Sequence, residues 1–212
     1  NKLIYNFYIK NSLKADLTKK FIFVALQCEP ERQANPQGGF FFNQLKMIEF
    51  LSKSVPKDYV IYVKEHISQF KSYQNCCLSK NNDYYKKIIS LKNVKLINFS
   101  YNSFELIDEA RMVALVSGSV GFESLVRKKN VLLFGHAWYE TMTGIYKIKT
   151  IKDIRQAIKS IDNQENKITD YEISKFISKV EKISTFGFLD ELGVSSYIKN
   201  NEKKNKNIQN IL

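Results

Sequence analysis

Cysteine is scarce in this chain of 212 residues, and the three cysteines exclude two kinds of stabilised fold. Cys28 stands far from the adjacent Cys76 and Cys77, a spacing too irregular for a disulfide framework. The same spacing does not fit a structural zinc site, which needs a second pair of ligands. We therefore expect free thiols and a reducing, cytoplasmic location.

Segments that direct a protein into or across a membrane are also missing. No apolar run approaches the roughly 20 residues of a membrane-spanning helix. Residues 1–10 contain neither a signal-peptide core nor a small-residue cleavage site. The chain does not begin with Met, so we expect it to be a piece of a longer protein.

Histidine is nearly absent, because the chain contains only His66 and His136. No third ligand or nearby cysteine stands at metal spacing from either histidine. We therefore predict no metal site and no cofactor.

Acidic residues are outnumbered, with 21 Asp and Glu against 33 Lys and Arg, which gives a net charge of +12. Such a charge favours anionic partners, among them nucleotide-sugars, acidic glycans, acidic lipid headgroups and nucleic acid. The lysines are dispersed and follow no recognisable nucleic-acid motif, so we predict that nucleic acid is not a partner. A solvated basic surface explains the charge equally well.

Short apolar runs alternate with segments of helical periodicity along most of the chain. This alternation predicts an α/β fold, a Rossmann-like, mostly parallel sheet flanked by helices on both faces. The predicted domain covers residues 21–185, between a connecting segment or extension at 1–20 and a helical, low-complexity tail at 186–212. The predicted strands are residues 21–26, 59–63, 94–97, 112–116, 131–134 and 145–148.

Polar residues directly follow four of the predicted strands. Ligands of parallel sheets bind outside the carboxyl ends of the strands, so these residues are predicted to meet at one edge. The four segments are residues 27–31, 64–66, 117–123 and 135–139.

The third of these segments combines a turn of small residues with a helix start, formed by Ser117, Gly118, Ser119 and Gly121. Backbone N–H groups at a helix N-terminus bind phosphate through hydrogen bonds and the helix dipole. The turn is neither a P-loop nor a GxGxxG fingerprint, and a tight corner is an equally ordinary explanation. Glu123 is predicted in the first turn of the helix, where an acid is stabilised by the dipole or could accept ribose hydroxyls.

The remaining candidates end the second and fifth strands. Lys64 and His66 could hold a phosphate or protonate a leaving group. His136, Trp138 and Tyr139 could contact a sugar or an acceptor, or simply cover the sheet edge.

Four segments together resemble the capsule polysaccharide biosynthesis and export family of bacterial glycosyltransferases, which includes Kdo transferases that use CMP-Kdo. The similarity spans residues 16–159. Two positions differ from the family pattern: Ile67 follows His66 where the family has proline, and Ser119 replaces a threonine. The segments are ALQCEPE at 25–31, YVKEH at 62–66, SGSVGFESL at 117–125 and FGHAWY at 134–139.

The resemblance implies the C-terminal, nucleotide-binding half of a GT-B glycosyltransferase, with an N-terminal domain as partner if the native chain is longer. It implies a nucleotide-sugar donor, CMP-linked by preference, and a glycan or glycolipid acceptor. Glu123 would hold the ribose, while His66 and Glu29 are the catalytic candidates. Gln27 and Glu31 would face the sugar or acceptor.

Two functions therefore follow from the sequence. The first is the donor-binding domain of a capsule or surface polysaccharide glycosyltransferase, inactive alone if its partner domain is missing. The second is a non-catalytic basic module that binds glycan or docks on a membrane-associated export system. For either function we expect a cytoplasmic protein with peripheral contact to the inner membrane or the export machinery.

Overall fold

The computed structural model describes residues 2–29, 35–70 and 80–185 of the chain. The described residues as far as Thr169 belong to one compact unit, and a second unit begins at Asp170. The predicted tail at residues 186–212 lies outside the described residues. The predicted domain boundaries stay predictions.

The predicted parallel sheet is confirmed. Every pair of neighbouring strands is parallel, and the strand order is β3-β2-β1-β4-β5-β6. This order is that of a Rossmann-like fold and of one half of a GT-B fold. The strands are Phe21–Ala25 (β1), Val60–Lys64 (β2), Val94–Ile97 (β3), Met112–Leu115 (β4), Val131–Leu133 (β5) and Ile145–Lys147 (β6), within two residues of the predicted ends.

Seven α-helices are present in the described ranges. A short 3-10 helix at Gly39–Phe41 precedes the first α-helix after β1. A second 3-10 helix, Ile67–Phe70, follows β2. The helices are Lys2–Asn11 (α1), Gln44–Ser54 (α2), Asn82–Ser90 (α3), Ser103–Glu109 (α4), Ser119–Val126 (α5), Ile151–Asp162 (α6) and Asp170–Ile183 (α7).

Side-chain caps define the starts of several helices. Thr150 and Asp153 form a reciprocal capping box at the start of α6. Asn102 accepts a hydrogen bond from the backbone N–H of Phe104 and so caps α4. These caps satisfy N–H groups that a helix cannot pair internally.

The sheet is buried on both faces because its strands alternate between two cores. Ile22 and Val24 of β1 point into a cluster that includes apolar residues of α2, α3 and α6. Phe21 and Phe23 are equally buried and point to the opposite face. On that face α5 packs against β4 and β5.

The segment predicted as a connection at residues 1–20 contains helix α1. Tyr8 of this helix is fully buried, and its hydroxyl donates to the carbonyl of Ile97 at 2.6 Å. The same hydroxyl accepts from the backbone N–H of Glu65 at 3.0 Å. The sequence did not reveal the helix because apolar residues run from Leu3 to Ile9 with only Asn6 between them, which leaves no clear polar face. Tertiary contacts therefore decide its position.

The amino ends of the strands are joined by a cluster of charges around Asp162, the last residue of α6. Its carboxylate accepts from Tyr59 at 2.7 Å, Arg111 at 3.0 Å and Lys20 at 3.0 Å. Partial burial alone would raise the pKa of Asp162, but these hydrogen bonds outweigh burial and lower it. The carboxylate therefore ties α6 to residues that flank β1, β2 and β4.

We expect Asp162→Asn to lower the free energy of unfolding by about 1–2 kcal/mol at pH 7, because three donors lose a charged acceptor. A carboxyl group whose pKa is lower in the folded state stabilises the protein above its unfolded pKa. That contribution disappears as the pH falls through the folded pKa. In urea titrations the difference between wild type and variant should therefore shrink below about pH 4. A difference independent of pH would contradict this role.

Candidate functional site

The carboxyl ends of the strands meet at one edge of the sheet, as a fully parallel sheet requires. The strand order reverses between β1 and β4, where α/β proteins bind ligands. A cleft of about 220 Å³ lies at this edge. Its lining includes Ala25, Leu26, Lys64, His66, Ser103 and Val120.

Lys64 and His66 lie together in this cleft, as predicted from their place after β2. The Lys64 ammonium is half-buried and donates to the hydroxyl of Ser103 at the start of α4. Burial lowers the pKa of Lys64, because the cleft replaces part of its hydration. An anion in the cleft would favour the charged form of Lys64 and raise its pKa again.

The His66 ring is oriented by the backbone that follows it. Its Nδ1 accepts from the N–H of Ser68 at 3.3 Å, so in the neutral form Nε2 carries the proton. Gln69 N–H donates to the carbonyl of His66 at 2.9 Å. In place of the family's proline, the 3-10 helix beginning at Ile67 fixes the chain after the histidine.

The predicted small-residue turn forms the start of α5. Gly118 has a φ of +102°, which favours glycine, and the helix begins at Ser119. Ser117 is buried, and its N–H donates to the side-chain oxygen of Gln27 at 3.0 Å. The helix therefore presents its dipole at the sheet edge, while the N–H of Ser117 has a protein acceptor.

The expectation that Glu123 lies in the first turn is wrong. Because α5 begins at Ser119, Glu123 lies one turn further along the helix. Stabilisation by the dipole is strongest in the first turn, so the structural explanation for this acid is weakened. Its predicted contact with ribose stays a prediction.

Tyr139 supports the turn and is not exposed to a ligand. Its ring is fully buried, and its hydroxyl donates to the carbonyl of Gly118. A Cβ at Gly121 would lie 2.2 Å from this hydroxyl, so only glycine fits there. Burial and the nearby Glu123 charge raise the pKa of Tyr139. Tyr139 is therefore part of the structure that supports the turn.

His136 and Trp138 lie on the loop after β5 and are exposed. The Nδ1 of His136 is 3.2 Å from the carboxylate of Glu140, which also accepts from Lys147 at 2.7 Å. Trp138 packs against Phe122 with ring centroids 4.8 Å apart. Glu140 and Lys147 were missed by sequence reasoning, because no motif marks the partners of an exposed histidine.

A fully buried ion pair behind the cleft was also missed. The Lys80 ammonium lies 3.1 and 3.0 Å from the two oxygens of Glu65, and both side chains have zero exposure. Glu65 accepts further hydrogen bonds from Tyr85 at 2.8 Å and from the N–H of His66 at 2.8 Å. In sequence, Glu65 is an ordinary polar residue after a strand, and Lys80 is one lysine among many.

Gln27 and Glu29 belong to the same buried polar layer. Gln27 and Gln44 exchange two hydrogen bonds, at 2.8 and 3.0 Å, and the carbonyl of Gln27 accepts from Lys80 at 2.8 Å. Glu29 accepts from the side chain of Gln44 and donates its N–H to Gln69 at 2.9 Å. These contacts make Gln27 a structural residue.

The predicted roles of the remaining residues of this loop stay predictions. Glu29 is not among the described residues that line the cleft, so the structure adds nothing to its predicted catalytic role. Glu31, the other predicted acceptor contact of this loop, lies outside the described residues.

Cys28 is buried and forms a disulfide, so the expectation of free thiols is wrong for this residue. The other two cysteines lie outside the described residues. Among residues 2–29, 35–70 and 80–185, no cluster of three potential metal ligands occurs. Within the same ranges no helix combines the length and apolarity needed to cross a membrane.

A family model described as "Capsule polysaccharide biosynthesis protein" matches residues 6–185 of the chain. A search of curated protein sequences gave no match.

Solved structures share the fold at low sequence identity. One is Anabaena Alr3699/HepE in complex with UDP and glucose, with a TM-score of 0.50 and 14% identity, over 84% of this chain and 53% of that one. Another is Thermosulfurimonas dismutans KpsC, a beta Kdo 2,7 transferase. Its TM-score is 0.49 and its sequence identity 16%, and the match covers 74% of this chain and 50% of that one. For the S. aureus MnaA–UDP co-structure the TM-score is 0.49 and the sequence identity 15%, and the match covers 86% of this chain and 52% of that one. The chain thus spans about half the length of the structures it matches.

The contribution of the Glu65–Lys80 pair to the free energy of unfolding can be tested by mutation. Lys80→Met keeps the side-chain volume but leaves a buried carboxylate without its cation, so we expect a loss of about 3–5 kcal/mol in the free energy of unfolding. The double variant Glu65→Gln/Lys80→Met removes both charges and should be more stable than Lys80→Met in urea titrations.

A matched control is Lys86→Met, which breaks an exposed pair with Asp83. It should leave the free energy of unfolding nearly unchanged, because exposed pairs contribute little. Equal losses in Lys80→Met and Lys86→Met would contradict the importance of the buried pair.

Proposed function

Because the chain belongs to the capsule polysaccharide biosynthesis protein family, we propose that it binds the nucleotide of an activated sugar at the carboxyl edge of its sheet. The sugar would be transferred to a glycan or glycolipid acceptor with the help of a second domain. A CMP-linked donor of the Kdo type is favoured by the motifs described above. The reaction would take place in the cytoplasm.

One observation carries this proposal. Lys64, His66 and the first turn of α5 line a single cleft, although they come from different strand ends. A cation, an imidazole with its proton on Nε2 and a helix N-terminus are three independent means of binding phosphate. The three are brought together at the reversal of strand order, where α/β proteins bind nucleotides.

The same groups suit the chemistry of glycosyl transfer. As the bond between sugar and phosphate breaks, negative charge increases on the nucleotide phosphate. Lys64 and the dipole of α5 would stabilise this charge, and His66 would donate a hydrogen bond from Nε2. Glu123 is proposed to accept the ribose hydroxyls. The group that activates the acceptor would come from the second domain or the surface between domains.

Isothermal titration calorimetry with CMP, UDP and GDP tests the proposal. We expect at least one of them to bind, with CMP tightest. Lys64→Met and His66→Gln should each weaken binding by about tenfold, because each removes a charged or ring N–H donor to phosphate. Affinity should also fall as the salt concentration rises.

Lys92→Met is the matched control, because Lys92 is an exposed lysine in the turn before β3, at the other edge of the sheet. It should leave the affinity unchanged. Absence of binding to all three nucleotides by the folded protein would refute the proposal.

A further inference from the structure

A side-chain hydroxyl is inserted between β2 and β3 at the carboxyl edge of the sheet. Hydrogen bonds between parallel strands are evenly spaced, so the donors of one strand recur at every second residue. The N–H of Ile61 donates to the carbonyl of Asn93 at 2.9 Å, and the same register would direct the N–H of Glu65 to the carbonyl of Ile97. Instead, Glu65 N–H donates to the hydroxyl of Tyr8 at 3.0 Å, and this hydroxyl donates to the Ile97 carbonyl at 2.6 Å.

The Tyr8 hydroxyl satisfies both backbone groups while it holds them apart. A direct N–H···O bond would bring the two atoms to about 2.9 Å, whereas here two hydrogen bonds in series join them. Tyr8 is fully buried, and burial raises the pKa of its hydroxyl, which therefore keeps its proton and can donate and accept at once. The pairing of β2 with β3 ends at Lys64 and Ile97, where the hydroxyl is inserted.

The cleft that contains Lys64 and His66 is lined from both of the strands that Tyr8 separates. His66 follows the end of β2, whereas Phe99 and Ser103 follow the end of β3. The Lys64 ammonium reaches from β2 to the hydroxyl of Ser103. Closing the gap between the strand ends would bring these side chains closer together and narrow the cleft.

Aromatic rings fix the position of the Tyr8 hydroxyl. The ring centroid of Tyr8 lies 5.2 Å from those of Phe70 and Tyr85. Phe99 packs against two residues of α1, with centroid distances of 5.6 Å to Tyr5 and 6.4 Å to Tyr8. Helix α1 therefore contacts a wall of the cleft through its rings, in addition to the hydroxyl between the strands.

We propose that Tyr8 is a positioning residue that sets the width of the nucleotide cleft. Its hydroxyl holds the ends of β2 and β3 apart, so that a phosphate can enter beside Lys64 and His66. The residue is buried and acts through the backbone of Glu65 and Ile97. This inference rests on the proposed function, because it assigns the cleft to a nucleotide.

The variant Tyr8→Phe tests the role of the hydroxyl, because it keeps the ring and lets Glu65 N–H donate directly to the Ile97 carbonyl. We expect the affinity for CMP to fall about tenfold in isothermal titration calorimetry, because the narrowed cleft no longer fits the nucleotide. The midpoint of urea unfolding should change little, because both backbone groups remain paired. A lower midpoint with unchanged affinity would show a purely structural role and overturn the proposal.

Tyr59→Phe is the matched control. Tyr59 is also buried, but its hydroxyl donates to Asp162 at 2.7 Å, at the opposite edge of the sheet. This variant should lower the urea midpoint, because Asp162 loses a donor, and leave the affinity for CMP unchanged. Equal losses of affinity in Tyr59→Phe and Tyr8→Phe would contradict a specific effect on the cleft.

Crystal structures of wild type and Tyr8→Phe without nucleotide measure the gap itself. In the variant we expect the nitrogen of Glu65 to lie about 3 Å from the carbonyl oxygen of Ile97. A gap that stays open, with water in place of the hydroxyl, would overturn the proposal. Wild type that binds no nucleotide would refute the proposed function. Equal affinities of wild type and Tyr8→Phe for CMP would instead refute the role of Tyr8 alone.

Discussion

The buried ion pair between Glu65 and Lys80 is the constraint on which the ligand edge depends. Two charges with zero exposure are costly unless their hydrogen-bonding capacity is filled, and here it is filled from several directions. The hydroxyl of Tyr85 and the N–H of His66 both donate hydrogen bonds to the Glu65 carboxylate. The carbonyl of Gln27 accepts a hydrogen bond from the Lys80 ammonium. The pair thus joins the ends of β1 and β2 to α3 through contacts that cannot shift independently.

The end of β2 and the residues that follow it contribute both to the buried polar layer and to the cleft. Glu65 meets Tyr85 and Lys80 in the buried layer. Lys64, Glu65 and His66 all contribute to the lining of the cleft, but the Glu65 carboxylate is paired within the protein. Gln27 extends the support across the sheet, because its side chain accepts from the N–H of Ser117 before α5. A buried polar layer therefore holds the groups that are proposed to bind phosphate.

Helix α5 divides the ligand edge into two parts. The cleft lies on one side of its first turn and the aromatic pair of Phe122 and Trp138 on the other. Tyr139 fixes this arrangement, because its buried ring fills the space that Gly121 leaves open. The chain spans about half the length of the structures that share its fold.

The sequence by itself determined the architecture and the edge of the sheet where ligands are expected. Apolar runs of strand length alternate with helical stripes, and few arrangements other than a parallel sheet bury both. The strand-end segments containing Lys64, His66 and Ser119 were found in the same way. Only the tertiary structure decided which of these residues are buried in the supporting layer and which line the cleft. Gln27 and Tyr139 look like ligand contacts in sequence, and Lys80 looks like a surface lysine, yet all three are buried. Burial and pairing depend on residues distant in the chain, which local patterns do not encode.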